Sequence, residues 1–452
     1  MTDKDWSNPG HPFPPEDYQD PRTSQQRATD RVEVDRQATD LVRRRRNQPY
    51  RRQLVKTLRQ RRAGRSEMQF YPLERSGRAE TLLAAGELLI RREAVNEPVV
   101  QGFSQTYGFR QVPVVRLESR VVRLVNPEID CEQLQVIARL LQDEGVPTSL
   151  NHVTPLGPIV KGLGGPEPSA GARPYPDGVH AGTGAATVAV IDTGIDGTRR
   201  NDGWLTRVPR DGNIDPLDAF PPFGYLDFGA GHGTFAAGVV QQVCPTANLR
   251  MYRALDSDGL GSEVEVASAM VRAVEEGAHI LSLSLGTQTF DDQRPVALEV
   301  ALEIIAELEA QHGREVLVVA AAGNFADTHE CWPAAFPAPA VIAVAGLRAD
   351  LTPADWSSSG HWVDCSTIAE GILSPYVQGQ ESWEIDPRPD SFPRDAWAVW
   401  TGTSFAAPQI AGAVARLCQE RHLTPHAALK ELLSRGKPVK DFGVALEILP
   451  GT

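Results

Sequence analysis

Apolar and polar positions follow two different rhythms in the second half of the chain. Short apolar, β-branched runs such as Thr187–Ile191 are typical of strands buried on both faces of a parallel sheet. The longer segments between them repeat apolar residues with the period of a helix. Strands are predicted at 187–192, 249–254, 280–285, 316–321 and 340–346, and helices at 233–243, 262–277, 292–312, 404–421 and 425–434. This alternation predicts an α/β fold with helices on both faces of a mainly parallel sheet.

The pattern before residue 156 predicts a smaller α/β unit over residues 79–155. Its elements follow from apolar residues at helical or strand spacing. They are a helix at 79–95, strands at 113–118 and 121–125, a helix at 130–144 and a strand at 148–154. The pattern alone leaves the role of this unit open.

Two segments are predicted to lie outside the folded units. Residues 1–78 form a disordered, basic tail, since residues 1–40 contain few large apolar side chains. Residues 156–182, with seven glycines and five prolines, have the composition of an exposed linker. The main α/β domain then covers residues 183–452.

Charge is unevenly distributed along the chain. Residues 41–65 contain 11 Lys or Arg residues and no acid, whereas residues 183–452 contain 18 basic and 35 acidic residues. The basic segment fits a contact with nucleic acid or an acidic partner, a solvated tail, or a tail that folds onto the acidic domain. The acidic domain would either steer basic substrates or increase solubility.

Composition limits the compartment in which the chain is expected to work. The sequence contains no run of 18 apolar residues, so no membrane-spanning helix is predicted. Residues 1–10 lack the apolar core of a secretory signal. The cysteines are odd in number and dispersed, which favours reduced thiols over a disulfide framework or a zinc site. They are Cys131, Cys244, Cys331, Cys365 and Cys418. Together these features predict a cytoplasmic protein.

Four short motifs of the main domain carry the candidate chemistry. Asp192 ends the strand Val-Ala-Val-Ile-Asp, His232 lies in Gly-His-Gly-Thr, and Asn324 ends Ala-Ala-Gly-Asn. Ser404 lies in Gly-Thr-Ser-Phe-Ala-Ala-Pro, just before a predicted helix. A carboxylate, an imidazole, a carboxamide and a hydroxyl are the groups that acyl transfer through an oxyanion requires.

These motifs, in the order Asp, His, Ser, resemble those of the subtilisin-like serine peptidases. The resemblance covers roughly residues 183–450. It implies a three-layer α/β fold, with His232 as general base, Asp192 as its orienting group and Ser404 as nucleophile. Asn324 and the backbone N–H of Ser404 would stabilise the oxyanion. Phe235 and Phe405 stand where many relatives have His and Met, and neither position is catalytic.

The same resemblance implies where an extended peptide substrate would bind. It would lie as an added strand between two edges of the cleft. These edges are Gly259, Leu260 and Gly261 on one side and Ser284, Leu285 and Gly286 on the other. Residues 79–155 are similar in size and position to the propeptide of many family members, and the alternative is a permanent recognition domain.

We therefore predict a serine endopeptidase that acts on protein or peptide substrates and is autoprocessed in the linker. Two alternatives are a protease effector whose N-terminal region senses a partner, and a non-catalytic interaction protein on the same scaffold. The chemistry requires no cofactor and no catalytic metal. A structural calcium ion is left open, because no loop resembles an EF-hand and no ligands can be named. The sequence does not define an oligomeric state.

Overall fold

The central sheet of the main domain has eight strands in the order β10-β7-β12-β13-β14-β15-β21-β20. The computed structural model describes residues 20–73, 80–155, 165–176, 186–384 and 388–452. Neighbouring strands are parallel except for the last pair, β20 and β21. The strands are β7 (Thr187–Asp192), β10 (Asn248–Arg253), β12 (Ile280–Leu283), β13 (Leu317–Ala321), β14 (Ile342–Leu347), β15 (Cys365–Ile368), β20 (Lys437–Val439) and β21 (Gly443–Leu446).

Helices cover both faces of this sheet, as predicted. Alternate residues of β7 show the two sides: Val188 and Val190 belong to one hydrophobic core, and Ala189 and Ile191 belong to another. The first core contains α5 (His232–Val243), α8 (Ala407–Arg421) and α9 (Pro425–Leu433), and the second contains α6 (Glu263–Glu275) and α7 (Val296–His312). The three-layer α/β architecture expected from the sequence is therefore present.

Short strands complete this part of the chain. In this part, the strands outside the central sheet lie between residues 167 and 400; Leu260–Ser262 joins the sheet of the N-terminal unit, and the others form sheets of two or three strands. These strands are β6 (Glu167–Ser169), β8 (Ile195–Asp196), β9 (Ile214–Asp215), β11 (Leu260–Ser262), β16 (Ile372–Pro375), β17 (Gly379–Gln380), β18 (Ser391–Phe392) and β19 (Trp397–Trp400).

The N-terminal unit is an antiparallel sheet with two helices packed on one face. Its strand order is β3-β4-β2-β5-β11, with β1 paired to β2, so the last strand of this sheet comes from the main domain. Its own elements are β1 (Phe70–Leu73), β2 (Thr81–Arg91), α3 (Pro98–Thr106), β3 (Arg110–Pro113), β4 (Val121–Val125), α4 (Cys131–Asp143) and β5 (Thr148–Pro155).

Two predictions for this unit were wrong. The helix expected at 79–95 is the central strand β2, and the strand expected at 113–118 ends at Pro113. Leucine and alanine favour a helix locally, but β2 has strands on both sides, and that tertiary pairing overrides the propensity. Gly86, with φ 69°, lies where the pairing of β2 with β5 changes register, and a Cβ there would lie 2.0 Å from the Asn126 carbonyl oxygen.

The prediction of disorder was also wrong for the described part of residues 1–78. Residues 20–62, here called the N-terminal arm, contain the helices α1 (Ser24–Arg46) and α2 (Gln48–Arg62). Val34 of α1 is fully buried in a core of the main domain. Composition failed to show this because the arm has few apolar residues, and its packing partners lie far away in the chain. Residues 1–19 and 74–79 lie outside the described residues.

Part of the expected linker belongs to the fold. Strand β6 pairs with β19, and the buried Glu167 forms an ion pair with Arg36 of the arm. A Gly/Pro-rich composition indicated an exposed linker here, whereas backbone pairing with a distant strand orders residues 165–176. The rest of the predicted linker, residues 156–164 and 177–182, lies outside the described part of the chain.

Candidate active site

Asp192 is the last residue of β7, between two parallel neighbours, at the carboxyl end of the sheet. Sites of open α/β sheets lie at this end. The side chain is fully buried, and its Oδ1 accepts the backbone N–H of Thr193 at 2.7 Å. The strand thus delivers a buried carboxylate with a fixed orientation.

His232 is the first residue of α5 and faces that carboxylate. Its Nδ1 lies 2.8 Å and 2.9 Å from the two Oδ atoms of Asp192. The helix approaches the end of β7 closely because Gly233 has no side chain: a Cβ there would lie 2.2 Å from the Gly194 carbonyl oxygen. The rings of Trp400 and Phe405 pack against the imidazole at 5.2 Å and 5.3 Å between centroids.

Ser404 lies in the short 3-10 turn Thr403–Phe405 that leads into α8. Its Oγ donates to the Ser284 carbonyl oxygen at 3.2 Å, and the Ser284 hydroxyl donates to the Ser404 carbonyl oxygen at 2.7 Å. The Ser404 hydroxyl is therefore hydrogen-bonded to the wall of the cleft. Among the described residues, no hydrogen bond joins Ser404 to His232.

Asn324 is oriented by the residue before Ser404. Its Oδ1 accepts the backbone N–H and the hydroxyl of Thr403 at 2.8 Å and 2.9 Å. Because a backbone N–H can only donate, the oxygen must face Thr403, which leaves Nδ2 as a donor on the other side. Gly402 leaves room beside that nitrogen, since a Cβ there would lie 3.2 Å from Nδ2.

The two predicted substrate-binding edges lie on either side of the chain's own strand β5. Leu260 and Gly261 pair with Pro155 and Thr154 in antiparallel register, and the N–H of Gly286 donates to the Pro155 carbonyl oxygen at 3.2 Å. Gly259 begins the first edge in a turn with φ 81°, and Leu285 in the second edge is buried. An extended segment of this chain thus occupies the groove in which the sequence places a peptide.

A buried carboxylate behind the site had no signal in the sequence. Asp215 Oδ2 accepts the Thr193 hydroxyl at 2.8 Å and the Gly231 N–H at 2.9 Å, which ties the residue after Asp192 to the residue before His232. Burial raises the pKa of Asp215 to about 6. Its position became apparent only in the folded chain, because it comes from the two-residue strand β9, in a segment with no recognisable motif.

A buried ion pair beside the first edge was also missed. Arg62, the last residue of α2, contacts both Asp258 oxygens at 2.7 Å and 2.8 Å and Asp256 at 2.8 Å. Asp258 immediately precedes Gly259. The N-terminal arm therefore holds the segment that forms one edge of the cleft.

Two further properties of the described residues concern metal binding and membrane insertion. They contain no group of three or more His, Cys, Asp or Glu side chains arranged to hold a metal ion. Within the same residues, no helix has the length and apolar character needed to cross a bilayer.

The fold defines the class: an α/β protein with a mainly parallel sheet, whose candidate polar groups lie near the carboxyl end of that sheet. Within that class, the chain belongs to the Subtilase family of subtilisin-like serine peptidases, whose family model matches residues 183–444.

Curated relatives match the same part of the chain. A thermophilic serine proteinase of Bacillus sp. (strain AK1) is 28% identical over 255 residues, which are 54% of this chain and 54% of the relative. An intracellular serine protease of Paenibacillus polymyxa is 28% identical over 272 residues, 56% of this chain and 74% of the relative. The chain thus spans about half the length of the first of these relatives.

The fold is similar to that of a solved protease. The structure of fervidolysin from Fervidobacterium pennivorans, a keratinolytic enzyme related to subtilisin, aligns with a TM-score of 0.56 and 19% sequence identity. The alignment covers 85% of this chain and 63% of fervidolysin. This structural similarity supports the subtilisin-like α/β fold.

Proposed function

We propose that this chain is a serine endopeptidase that cleaves proteins or peptides with Asp192, His232, Ser404 and Asn324. The observation that carries the proposal is the buried pair of His232 and Asp192, at 2.8 Å and 2.9 Å, beside the loop that holds Ser404. An imidazole held by a buried carboxylate next to a serine is the arrangement needed to activate a hydroxyl nucleophile.

In the proposed reaction, the Ser404 hydroxyl turns from the Ser284 carbonyl toward His232 and attacks the substrate carbonyl carbon. His232 takes the hydroxyl proton and gives it to the departing amine, while Asp192 stabilises the imidazolium. The Asn324 amide and the Ser404 N–H donate to the oxyanion. Water then hydrolyses the acyl-enzyme by the same proton transfers in reverse. No cofactor takes part.

We further propose that the N-terminal unit holds the enzyme inactive, and that a cut between residues 156 and 182 is the first step of its release. Support comes from β5, which pairs with Leu260–Ser262 and reaches the N–H of Gly286. A strand in this groove excludes a substrate from the same backbone donors and acceptors.

A second candidate is a regulated effector whose N-terminal region responds to a partner. The docked arm favours it, because Arg62 is buried against Asp258 at the cleft edge. The nucleic-acid contact considered for residues 41–65 gains little support, since Arg61 and Arg62 form ion pairs within the chain. The five cysteines are free thiols, which agrees with the proposed cytoplasmic location.

The test combines intact mass with fluorophosphonate labelling of the full chain and of Ser404→Ala. We expect labelling of Ser404, and cleavage between residues 156 and 182 in the wild-type chain alone. Labelling without cleavage would favour the regulated effector over autoprocessing. Equal labelling of both proteins, or labelling of neither, would contradict the proposed nucleophile and favour the non-catalytic scaffold.

A further inference from the structure

The space beside the proposed nucleophile is bounded by two short walls, Ser284–Gly286 and Gly323–Asn324. We call this space the side-chain pocket. Both glycines face the sulfur of Cys331: a Cβ on Gly286 would lie 2.7 Å from Sγ, and a Cβ on Gly323 would lie 3.2 Å from it. Neither distance leaves room for another atom. The sulfur therefore fills the space that the two glycines leave open.

The walls of the side-chain pocket lead directly to the reacting groups. Ser284 and Ser404 exchange hydrogen bonds between hydroxyl and carbonyl in both directions. Gly323 directly precedes Asn324, and its N–H donates to the Thr403 hydroxyl at 3.1 Å. A peptide attacked by Ser404, with its carbonyl oxygen toward Asn324, must therefore direct the side chain of the attacked residue between these walls.

The chain's own strand shows that the first wall accepts a peptide. The Pro155 carbonyl oxygen receives the N–H of Gly286, the same residue whose missing side chain faces Cys331. This contact lies on the backbone side of the wall and is independent of the sulfur. It indicates that an extended ligand runs past the side-chain pocket.

The backbone around Cys331 is held by hydrogen bonds and by ring packing. The next residue, Trp332, exchanges two backbone hydrogen bonds with Thr287, at 2.8 Å and 2.9 Å, and Thr287 follows Gly286. The Cys331 carbonyl oxygen accepts the N–H of Ala335 at 2.8 Å, and the rings of Trp332 and Phe336 pack at 4.7 Å. The cysteine itself is fully buried.

We propose that Cys331 is a specificity-determining residue that closes the floor of the side-chain pocket and restricts the residue before the scissile bond to glycine, alanine or serine. The proposal rests on the proposed peptidase function and names its substrate class. A larger side chain would overlap a sulfur atom that is fixed from both sides. Burial raises the pKa of the thiol, so the floor is neutral and offers a basic or acidic side chain no counter-charge.

The size of the effect follows from the number of carbon atoms that do not fit. One methylene in an apolar pocket changes discrimination by about 10–200-fold. A benzyl side chain exceeds the methyl group of alanine by a whole ring. We therefore expect the wild-type protein to prefer alanine over phenylalanine at this position by at least about 100-fold.

The experiment compares two reagents that differ only in the side chain they offer. N-acylated diphenyl phosphonate analogues of alanine and of phenylalanine react when Ser404 Oγ displaces one phenoxide from phosphorus. Their labelling rates are measured on the full chain as wild type, Cys331→Gly and Cys331→Ser. Each rate is divided by that of a simple fluorophosphonate, which has no amino-acid side chain, on the same protein. This ratio removes differences in access or competence between variants.

We expect the alanine reagent to react at least about 100-fold faster in wild type and in Cys331→Ser, which keeps an atom of similar position on the floor. In Cys331→Gly the preference should fall at least about 10-fold. If Cys331→Gly fails to fold, the preference of the wild-type protein for the alanine reagent still tests the proposal. Equal rates for both reagents, or an unchanged preference in folded Cys331→Gly, would overturn the proposal. No fluorophosphonate labelling in any protein would instead contradict the proposed peptidase function.

Discussion

At the scale of single residues, Asn324 shows how a backbone contact prepares a side chain for chemistry. Thr403 binds its Oδ1 with two hydrogen bonds, so Nδ2 is presented without a search among rotamers. We expect Asn324→Ala to lower kcat by about 10²–10³-fold with little change in KM, the penalty known for the same type of donor in a subtilisin. Steady-state kinetics of the active protein measures it.

Thr403→Val is the matched control for this prediction. It removes the hydroxyl contact to Oδ1 and retains the backbone N–H. We expect a smaller loss in kcat than for Asn324→Ala, because one of the two orienting bonds remains. A loss in Asn324→Ala that appears only in KM would assign the residue to ground-state binding instead.

Asp227 is a second residue whose environment makes a measurable prediction. Burial, together with the nearby charge of Asp258, raises its pKa to about 7, against about 3.9 for an exposed aspartate. The native state thus holds this proton more tightly than the unfolded chain does. Its contribution to stability is complete below about pH 4 and is lost as the pH rises toward 7.

We expect Asp227→Asn to remove this pH dependence. Relative to the variant, the wild-type protein should lose on the order of 3 kcal/mol of unfolding free energy between pH 4 and pH 7.5. Urea denaturation at several pH values, in the Ser404→Ala background, measures the difference. A constant offset between the two curves at every pH would contradict the assignment, because the lost hydrogen bond from Ser257 alone would produce such an offset.

At the scale of elements, helix α2 stabilises the edge of the cleft through one side chain. Arg62 spans two carboxylates, Asp256 and Asp258, and stacks over Phe220 at 5.2 Å. Removing one partner of a buried pair leaves an uncompensated charge, so we expect Arg62→Ala to destabilise the protein by about 3–5 kcal/mol. Chemical denaturation in the Ser404→Ala background measures this change.

Two variants separate the geometry of Arg62 from its charge. Arg62→Lys keeps the charge but lacks the planar fork, and we expect it to recover only part of the stability. Lys56→Ala, on an exposed position of the same helix, should change stability by less than about 0.5 kcal/mol. Equal effects of Arg62→Ala and Lys56→Ala would show that the arm does not hold the edge.

At the scale of the whole molecule, the N-terminal region contacts the main domain at two separate places. The arm buries Val34 in the main core, Arg22 bonds to Thr452, and β5 pairs with β11. Val34 and Thr452 both lie beside Gly371, whereas β11 lies at the edge of the cleft, so releasing one of these two places leaves the other in contact. A cut between residues 177 and 185, which separates the N-terminal region from the main domain in the chain, would therefore not by itself release that region.

This argument predicts the behaviour of a chain cut by design. A recognition sequence for an unrelated protease is inserted between residues 177 and 185 in the Ser404→Ala protein, and the chain is cleaved. We expect both fragments to co-elute in size-exclusion chromatography, and the strand at residues 148–155 to keep its protection from hydrogen exchange. The same cut with Arg62→Ala should weaken the association. Separation of the unmodified fragments at micromolar concentration would contradict the prediction.

How much the sequence revealed depended on where the partners of each segment lie. Asp192, His232, Asn324 and Ser404 lie in local motifs, and the strands and helices around them follow from apolar periodicity. Strand β2 was misread because its leucines and alanines favour a helix, and its neighbours in the sheet are distant in the chain. The arm was misread for a related reason: its five buried aliphatic side chains and its ion pairs contact distant segments, which composition does not reveal.

The sequence by itself determined the α/β architecture of residues 183–452 and the candidate catalytic groups, because both are set by residues close together in the chain. Tertiary structure alone decided that β5 lies in the cleft, that the arm is ordered and that the sulfur of Cys331 lies between Gly286 and Gly323. Each of these features joins segments tens to hundreds of residues apart. Local propensity carries no information about such contacts, since their free energy arises only when the segments meet in the folded chain.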